Sequence, residues 1–342
     1  MQPTALLLLI ALAMPPGAQE DAAGPSNEKA QKSYRHAREY LAQRNRAEAL
    51  EEFKKADKLD GGRCKACQEQ IVECALELGD WKSATSAAQE MIEEAQDARS
   101  VALAHYQLGI ILRDEALARH KHELFEQAHK EMTEALAAAP NFPHAAFADG
   151  VVLAHLNQDA AAKAQFERFL EAAKPDDPTR RRAQFFVQHP EMARARMAPA
   201  FAVTTLDGQH IALDDLRGKV VLIDFWATWC GPCREALPHI RDIAKKFEGQ
   251  PLVILSVSLD TDEKKWREFV VRNHMSWLNC REGGFDGSVT RLFDVHAIPH
   301  TFTIDADGVL QDEHVGDSAI EGKLKKQLAR AREVQAQANP TP

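Results

Sequence analysis

Residues 220–233, VVLIDFWATWCGPC, decide the fold class of this chain. The apolar run predicts a buried strand, and the amphipathic stretch Arg234–Phe247 predicts a helix directly after the two cysteines. Cys230 is therefore expected at the N-terminus of a helix, where unpaired backbone N–H groups and the helix dipole stabilise a thiolate. Gly231 is expected to keep the turn tight, and Pro232 has a backbone angle suited to a helix start.

The string FWATWCGPC, residues 225–233, resembles the active-site segment of the thioredoxin superfamily and is more specific than a bare C-x-x-C. Residues 298–305, IPHTFTID, are similar to the cis-proline loop and following strand of that superfamily. In the length of the interval between these motifs, the chain resembles the TlpA/ResA-like branch, whose members carry an inserted strand–helix element. The resemblance covers roughly residues 197–331. It implies an α/β thioredoxin fold, a central mixed sheet flanked by helices, over residues 197–335.

The resemblance also implies the catalytic roles. Cys230, exposed at the helix start, is expected to be the attacking thiolate, and Cys233, one turn deeper, to resolve the mixed disulfide. Asp224 matches the buried aspartate that moves a proton to or from the second cysteine, and burial is expected to raise its pKa. The alternative is an aspartate at a strand edge facing water. Pro299 is expected to be a cis-proline packed across the cysteine pair.

Substrate contacts are expected around the same turn and loop. Trp226 and Trp229 are predicted to form an apolar rim, and Ile298 to offer backbone pairing to an extended substrate. His300 could tune Cys230 or contact substrate, the alternative being a hydrogen-bonded loop histidine. The expected substrate-binding residues are Trp229, Gly231, Pro232, Ile298 and His300.

Two positions depart from the TlpA/ResA pattern. That branch commonly has a glutamate three residues after the second cysteine, where this chain has Ala236, with Glu235 one position earlier. It also commonly has a threonine after the cis-proline, where this chain has His300. The proton-transferring acid is therefore expected to be Asp224, and a specialised role in cytochrome maturation does not carry over.

Composition excludes several function classes. The chain has 342 residues, 45% of them hydrophobic and 27% charged, which fits a folded protein of about two domains. Its net charge of −9 leaves no basic surplus for binding nucleic acid. Phosphate-binding glycine loops, metalloprotease helices and a Ser-His-Asp signature are missing, so no cofactor or metal is expected.

A peroxiredoxin is the rival enzyme class, and the sequence argues against it. Ala227 stands where a peroxiredoxin is expected to have a threonine, three residues before the nucleophile.

Residues 1–18 are interpreted as a signal peptide. Residues 5–13 are apolar but too few for a membrane span, and Pro15-Pro16-Gly17-Ala18 follows, with cleavage expected near Ala18. The segment before the apolar run has no Lys or Arg, so an uncleaved anchor or a misassigned start are the alternatives. An exported protein, periplasmic or secreted, is expected.

Residues 29–176 predict about four tetratricopeptide (TPR) repeats, an all-α solenoid. Small residues recur where two helices should cross closely, and large apolar ones where the next repeat stacks. The third unit carries about seven extra residues around positions 115–123. Residues 177–196 predict a capping helix and linker, and residues 336–342 a disordered tail. The first unit shows the pattern through Ala37, Tyr40, Ala49, Phe53, Ala56 and Gly61.

Four cysteines lie outside the active-site motif. Cys74 and Cys280 are predicted to be buried apolar side chains. Cys64 and Cys67 form a second C-x-x-C at the start of a repeat helix. A structural disulfide, free packed thiols, and a second redox or metal site are all open interpretations of this pair.

The sequence therefore predicts a multidomain, exported thiol–disulfide oxidoreductase that reduces disulfide-containing protein substrates. Gly231-Pro232 between the cysteines resembles reducing thioredoxins, and an exported reductase implies a membrane thiol carrier as electron donor. A protein partner is expected on the concave surface of the repeats. The alternative is a TPR interaction scaffold whose thioredoxin domain is a redox sensor or a structural element.

Overall fold

The computed structural model of the chain describes residues 24–315 and 320–338, which divide into two compact units. The first unit comprises the helical residues up to Pro175 together with Ala183–Arg194, and the second comprises Asp176–Arg182 together with the residues from Ala195 onward. The predicted signal peptide and residues 339–342 lie outside the described residues. The two units agree with the predicted fold class, an all-α part followed by an α/β part.

The first unit is built from pairs of helices joined by short loops, which is the arrangement that the repeat pattern predicts. The pairs are α1 (Glu28–Ala42) with α2 (Arg46–Leu59), α3 (Lys65–Leu78) with α4 (Trp81–Glu94), α5 (Ala98–Arg119) with α6 (Glu123–Ala138), and α7 (Pro143–His155) with α8 (Asp159–Ala172). A further helix, α9 (Arg180–Gln188), precedes a 3₁₀ turn at Pro190–Arg194.

Two glycines show why small residues recur in this unit. A Cβ added at Gly109 of α5 would lie 2.8 Å from Met132 Cε in α6, and one added at Gly150 of α7 would lie 2.6 Å from Phe166 Cε1 in α8. The Phe166 ring leaves no room for a side chain at position 150, and at position 109 the Met132 side chain would have to shift, so the helices of each pair cross closely at a small residue. The extra residues of the third unit lengthen α5 to 22 residues.

The second unit contains a five-stranded mixed sheet with the order β5-β4-β3-β6-β7 and a separate two-stranded hairpin. β3 runs parallel to β4 and antiparallel to β6, and β5 and β7 form the edges. The strands are β1 (Ala202–Thr204) and β2 (His210–Ala212) of the hairpin, then β3 (Val220–Trp226), β4 (Leu252–Ser258), β5 (Leu278–Arg281), β6 (His300–Ile304) and β7 (Leu310–Val315). The helices are α10 (Gly231–Lys246), α11 (Glu263–Arg272), α12 (Ser288–Leu292) and α13 (Glu321–Ala338).

Alternation along β3 assigns its side chains to two faces of the sheet. Val220 and Leu222 pack in one cluster with Ile240 and Ile243 of α10. Phe225 packs against aromatic side chains on the other face. Asp224, an even-numbered residue of β3, therefore shares the face that α10 covers.

Helix α13 extends past the predicted start of the disordered tail. It continues to Ala338, so residues 336–338 are helical and do not belong to the predicted disordered tail. After Gly322 the segment has neither glycine nor proline before Pro340, so nothing interrupts the helix earlier. No helix within residues 24–315 and 320–338 is both long and apolar enough to cross a membrane.

Candidate active site

The two cysteines of the C-G-P-C motif lie in the turn between β3 and α10. Cys230 is the N-cap residue of α10, and its sulfur accepts a hydrogen bond from the backbone N–H of Cys233 at 3.2 Å. A disulfide joins Cys230 to Cys233, so the structure is the oxidised form. Both residues are 5% exposed. The predicted greater exposure of Cys230 is thus not observed in this form, in which the two sulfurs are bonded.

The turn presents a mixed surface beside the disulfide. Trp229 is 59% exposed, and Pro232 is also exposed. Both are therefore accessible, as residues predicted to contact a substrate need to be. Gly231 has no left-handed backbone angle, and an added Cβ would meet no atom within 4 Å. The tightness of the turn therefore does not depend on this glycine, contrary to the prediction.

Trp226 does not contribute to the exposed rim, and the prediction that it does is wrong. Its side chain is 3% exposed and packs on Phe269 of α11, with the ring centroids 5.3 Å apart. Trp226 is the last residue of a central strand that is buried along its whole length, whereas Trp229 lies beyond the strand end.

The loop opposite the disulfide contains a cis peptide bond between Ile298 and Pro299, as predicted. Pro299 is buried, and the carbonyl oxygen of Ile298 lies 3.8 Å from the Cys230 sulfur. Ile298 itself is half-buried. The two motifs that the sequence analysis singled out, far apart in the chain, thus meet at the disulfide.

Asp224 is a buried, weakly solvated carboxyl group. It is 7% exposed, and burial raises its pKa to about 7, although the hydroxyl of Ser256 donates a hydrogen bond to it at 3.2 Å. The indole N–H of Trp277 donates in turn to the Ser256 oxygen at 2.8 Å. The predicted burial and raised pKa are confirmed, and the alternative of a water-facing aspartate is excluded.

His300 does not face the cysteines. It is the first residue of β6, is 3% exposed, and pairs with Phe225 on the sheet face opposite α10. Its ring stacks on Phe302, and its Nε2 lies 3.2 Å from Oε1 of Glu313. The prediction of a substrate-contacting His300 is corrected accordingly, because strand geometry turns the side chain into the core. Burial lowers its pKa, although Glu313 acts in the opposite direction.

A second buried aspartate near the active-site turn escaped the sequence analysis. Both carboxylate oxygens of Asp260, which is 3% exposed, hold Thr228: the Thr228 N–H donates at 2.9 Å and its hydroxyl at 2.5 Å. The Ser258 hydroxyl donates to the same carboxylate at 2.7 Å. β3 and β4 are parallel, so their carboxyl ends meet at one sheet edge. The aspartate that follows β4 in the sequence is therefore the feature that indicates a polar residue near the active-site turn.

The structure also shows the bonding state of the other four cysteines. Cys64 and Cys67 form a disulfide. Cys74 and Cys280 are free and buried as predicted, and burial raises the pKa of Cys74 to about 11 and that of Cys280 to about 12. Within the described part of the chain, no group of three or more His, Cys, Asp or Glu side chains is placed to hold a metal ion.

The chain is similar to several known proteins. Residues 195–313 match the model of the AhpC/TSA family. The chain is 30% identical to the thiol-disulfide oxidoreductase ResA of Bacillus cereus over 145 residues, which are 42% of this chain and 83% of that protein. It is 34% identical to the thioredoxin-like protein YneN of Bacillus subtilis over 126 residues, 35% of this chain and 71% of that protein.

One similar solved structure is that of a putative thiol:disulfide interchange protein DsbE from Chlorobium tepidum, which is 30% identical to this chain. The match covers 40% of this chain and 96% of that protein, with a TM-score of 0.36. The residues that match the family model lie in the second unit, the part that carries the Cys230–Cys233 disulfide.

Proposed function

Because this chain belongs to the thioredoxin-like thiol–disulfide oxidoreductases that include ResA, we propose that it reduces disulfides in exported proteins through Cys230 and Cys233. One observation carries the proposal. The cysteine pair caps α10, the cis-Pro299 loop lies against it, and a buried carboxyl, that of Asp224, occupies the sheet face below the helix.

Two exchange steps account for the chemistry. In the reduced enzyme the Cys230 thiolate attacks one sulfur of a substrate disulfide, and the other substrate sulfur leaves as a thiolate. Cys233 then attacks the Cys230 sulfur of the mixed disulfide and releases the substrate's second thiol. The products are a substrate dithiol and the Cys230–Cys233 disulfide. The Cys233 N–H, 3.2 Å from the Cys230 sulfur, and the helix dipole favour the thiolate.

Asp224 supplies a place for a proton during these steps. Cys233 must lose its proton before it attacks, and a carboxyl with a pKa of about 7 can accept and return a proton at neutral pH. The Ser256 hydroxyl, itself held by Trp277, orients this carboxyl. Asp224 is therefore assigned the proton transfer that the branch commonly gives to a glutamate on the helix.

Substrate contacts are assigned to the exposed side of the turn. Trp229 and Pro232 offer apolar surface beside the disulfide, and Gly231 leaves open space between them. The Ile298 carbonyl, which approaches the Cys230 sulfur, marks where an extended substrate segment would lie. His300 is left out of this set because its side chain is in the core.

The direction of electron flow is assigned from the residues between the cysteines. Gly231 and Pro232 resemble the dipeptide of reducing thioredoxins, so the chain is proposed to work as a reductase in the periplasm or after secretion. Each turnover leaves the Cys230–Cys233 disulfide, which must be reduced again. A membrane thiol carrier is the proposed electron donor, and the helical repeats are proposed to hold a protein partner on their concave surface.

An insulin-reduction assay with dithiothreitol tests the proposal. The full chain should accelerate insulin precipitation, whereas Cys230→Ser and Cys233→Ser should not exceed dithiothreitol alone. Cys74→Ala is the matched control, because it removes a buried free cysteine of the first unit and should leave turnover unchanged. A wild-type protein that gives no turnover would favour the scaffold alternative and overturn the proposal.

A trapping experiment identifies the substrates. Cys233→Ser keeps the attacking cysteine but cannot resolve the mixed disulfide, so captured proteins remain attached. Mass spectrometry of the adducts should identify exported, disulfide-containing proteins that are released by dithiothreitol. Adducts consisting of cytoplasmic proteins alone would contradict the proposed location.

A further inference from the structure

The second C-x-x-C of the chain has the same local geometry as the active-site pair. Cys64 is the N-cap residue of α3, and its sulfur accepts a hydrogen bond from the N–H of Cys67 at 3.2 Å. Cys230 and Cys233 at the start of α10 show the same arrangement with the same distance. Both pairs form disulfides. The helical unit therefore contains a second cysteine pair placed where a helix N-terminus favours a thiolate.

A purely structural role explains this disulfide poorly. The stabilisation from a disulfide grows with the length of the loop that it closes, and here the loop encloses two residues. Cys64 and Cys67 already belong to one helical turn, in which the backbone N–H groups of Cys67 and Gln68 donate hydrogen bonds to the Cys64 carbonyl oxygen at 2.8 and 3.0 Å. The disulfide consequently adds little constraint to the unfolded chain.

A buried carboxyl lies beside this pair, as one does beneath the active-site pair. Asp57 is 6% exposed, and its Oδ1 accepts a hydrogen bond from the backbone N–H of Cys64 at 3.0 Å. Burial raises the pKa of Asp57 to about 6, with the charges of Glu90 and Glu94 acting in the same direction. This group can take up a proton at the site when a thiol ionises.

Both cysteines are covered by neighbouring side chains and pack in a buried cluster with Ala56 and Ala66. Cys64 is 2% exposed and Cys67 is fully buried, compared with 5% for each active-site cysteine. Cys64 stands between two exposed basic residues, Arg63 and Lys65, whose charges attract an incoming thiolate. The slight exposure of Cys64, against none for Cys67, favours attack at the Cys64 sulfur, with the Cys67 sulfur leaving.

We propose that Cys64 and Cys67 form a second exchangeable dithiol–disulfide couple, whose co-reactant is a dithiol of the C-x-x-C type. A thiolate of that dithiol attacks the Cys64 sulfur, the Cys64–Cys67 bond breaks, and Cys67 leaves as a thiolate and takes up a proton. The second thiol of the co-reactant, after losing its proton, attacks the co-reactant sulfur that is bonded to Cys64; that bond breaks, and Cys64 leaves as a thiolate. The co-reactant becomes a disulfide, and two electrons have passed to Cys64 and Cys67. Reduced Cys230 and Cys233 are one dithiol of this class.

Redox titration of the folded wild-type protein tests the couple directly and does not depend on the proposed function. The protein is equilibrated in mixtures of reduced and oxidised dithiothreitol and trapped with a maleimide. A protease that cuts after Asp60 and Glu69 isolates both cysteines on residues 61–69, without Cys74. This peptide should gain two labels in one reversible transition while the far-ultraviolet circular dichroism stays constant. Labelling that requires denaturant would establish a structural disulfide, and labelling without reductant would establish free thiols; either result overturns the proposal.

A second experiment tests the co-reactant. Reduced C64A/C67A protein, which supplies Cys230 and Cys233, is mixed with oxidised C230A/C233A protein, and residues 61–69 of the latter are assayed. Two labels are expected there, and none when the donor also carries C230A. A donor that reduces insulin but leaves this peptide unlabelled overturns the assignment of the co-reactant while the proposed function stands. Should C64A/C67A fail to fold, the titration of the wild-type protein still decides whether the couple exchanges.

Discussion

Replacing Asp224 with asparagine should stabilise the folded protein in a manner that depends on pH. Burial raises the pKa of Asp224 from 3.8 to about 7. Folding stability attributable to this group is therefore fully present below pH 4 and is lost as the pH rises through 7. The shift corresponds to roughly 4 kcal/mol of destabilisation once the carboxyl is ionised in both states. An asparagine of the same shape does not ionise, so it avoids this cost.

Asp224→Asn should thus match the wild type in stability near pH 4 and exceed it increasingly up to pH 8. For a unit of this size the expected difference in Tm at pH 8 is on the order of 10 °C. Tryptophan fluorescence of the oxidised protein is a suitable probe, because Trp226, Trp229, Trp266 and Trp277 belong to the second unit and Trp81 belongs to the first. Equal pH dependence in the variant and the wild type would refute the assignment of a buried, titrating Asp224.

The same variant should lose activity while it gains stability. Removing a positioned proton acceptor should lower insulin turnover at pH 7 by about a hundredfold or more. Ser256→Ala is the matched control, because it keeps the carboxyl but removes the hydrogen bond that lowers the Asp224 pKa. Its activity should persist, with the pH dependence moved to higher pH. Full activity of Asp224→Asn would show that Cys233 does not use this carboxyl.

Three further predictions concern the same unit. In the reduced protein near neutral pH, iodoacetamide should label Cys230 at least about tenfold faster than Cys233, and mass spectrometry showing the reverse order would contradict the assigned roles. Asp260→Asn should lower both Tm and turnover, since one of the two donors of Thr228 loses its acceptor oxygen, at a cost of about 1–3 kcal/mol; unchanged values would mean that this contact does not position the turn. A fragment beginning at Met197 should fold and reduce insulin at a rate close to that of the full chain, and an insoluble or inactive fragment would show that the predicted domain boundary is wrong.

Much of the site could be predicted because its determinants are local. A buried strand, a C-x-x-C turn and an amphipathic helix follow one another in the sequence, and their order alone puts Cys230 at the helix start. Asp224 is enclosed by apolar residues on both sides along β3, so its burial followed from its immediate neighbours. The cis peptide at Pro299 was inferred by resemblance, since cis bonds are a minority of bonds before proline.

The wrong or missing predictions concern two features that the sequence does not specify: the sheet face on which a side chain lies, and the strand with which another strand pairs. In the run Val220–Trp226 almost every residue is apolar, so alternation could not show that Trp226 turns into the core. His300 follows the cis-proline directly, but it begins β6 and its side chain goes to the face away from the cysteines. The contact of Asp260 with Thr228 depends on the parallel pairing of β3 with β4, which the sequence analysis did not address.

The pairing of β3 with β4 also explains why a polar group occurs at the centre of the sheet. The register places Asp224 opposite Ser256, in a layer where the neighbouring positions of both strands are apolar. Burying a carboxyl there costs stability, and one hydrogen bond from Ser256 offsets part of that cost. An apolar pair at these positions would make a more stable sheet. We infer that the Asp224–Ser256 pair serves the thiol chemistry above it and not the fold, which is why its replacement should stabilise the protein as it inactivates it.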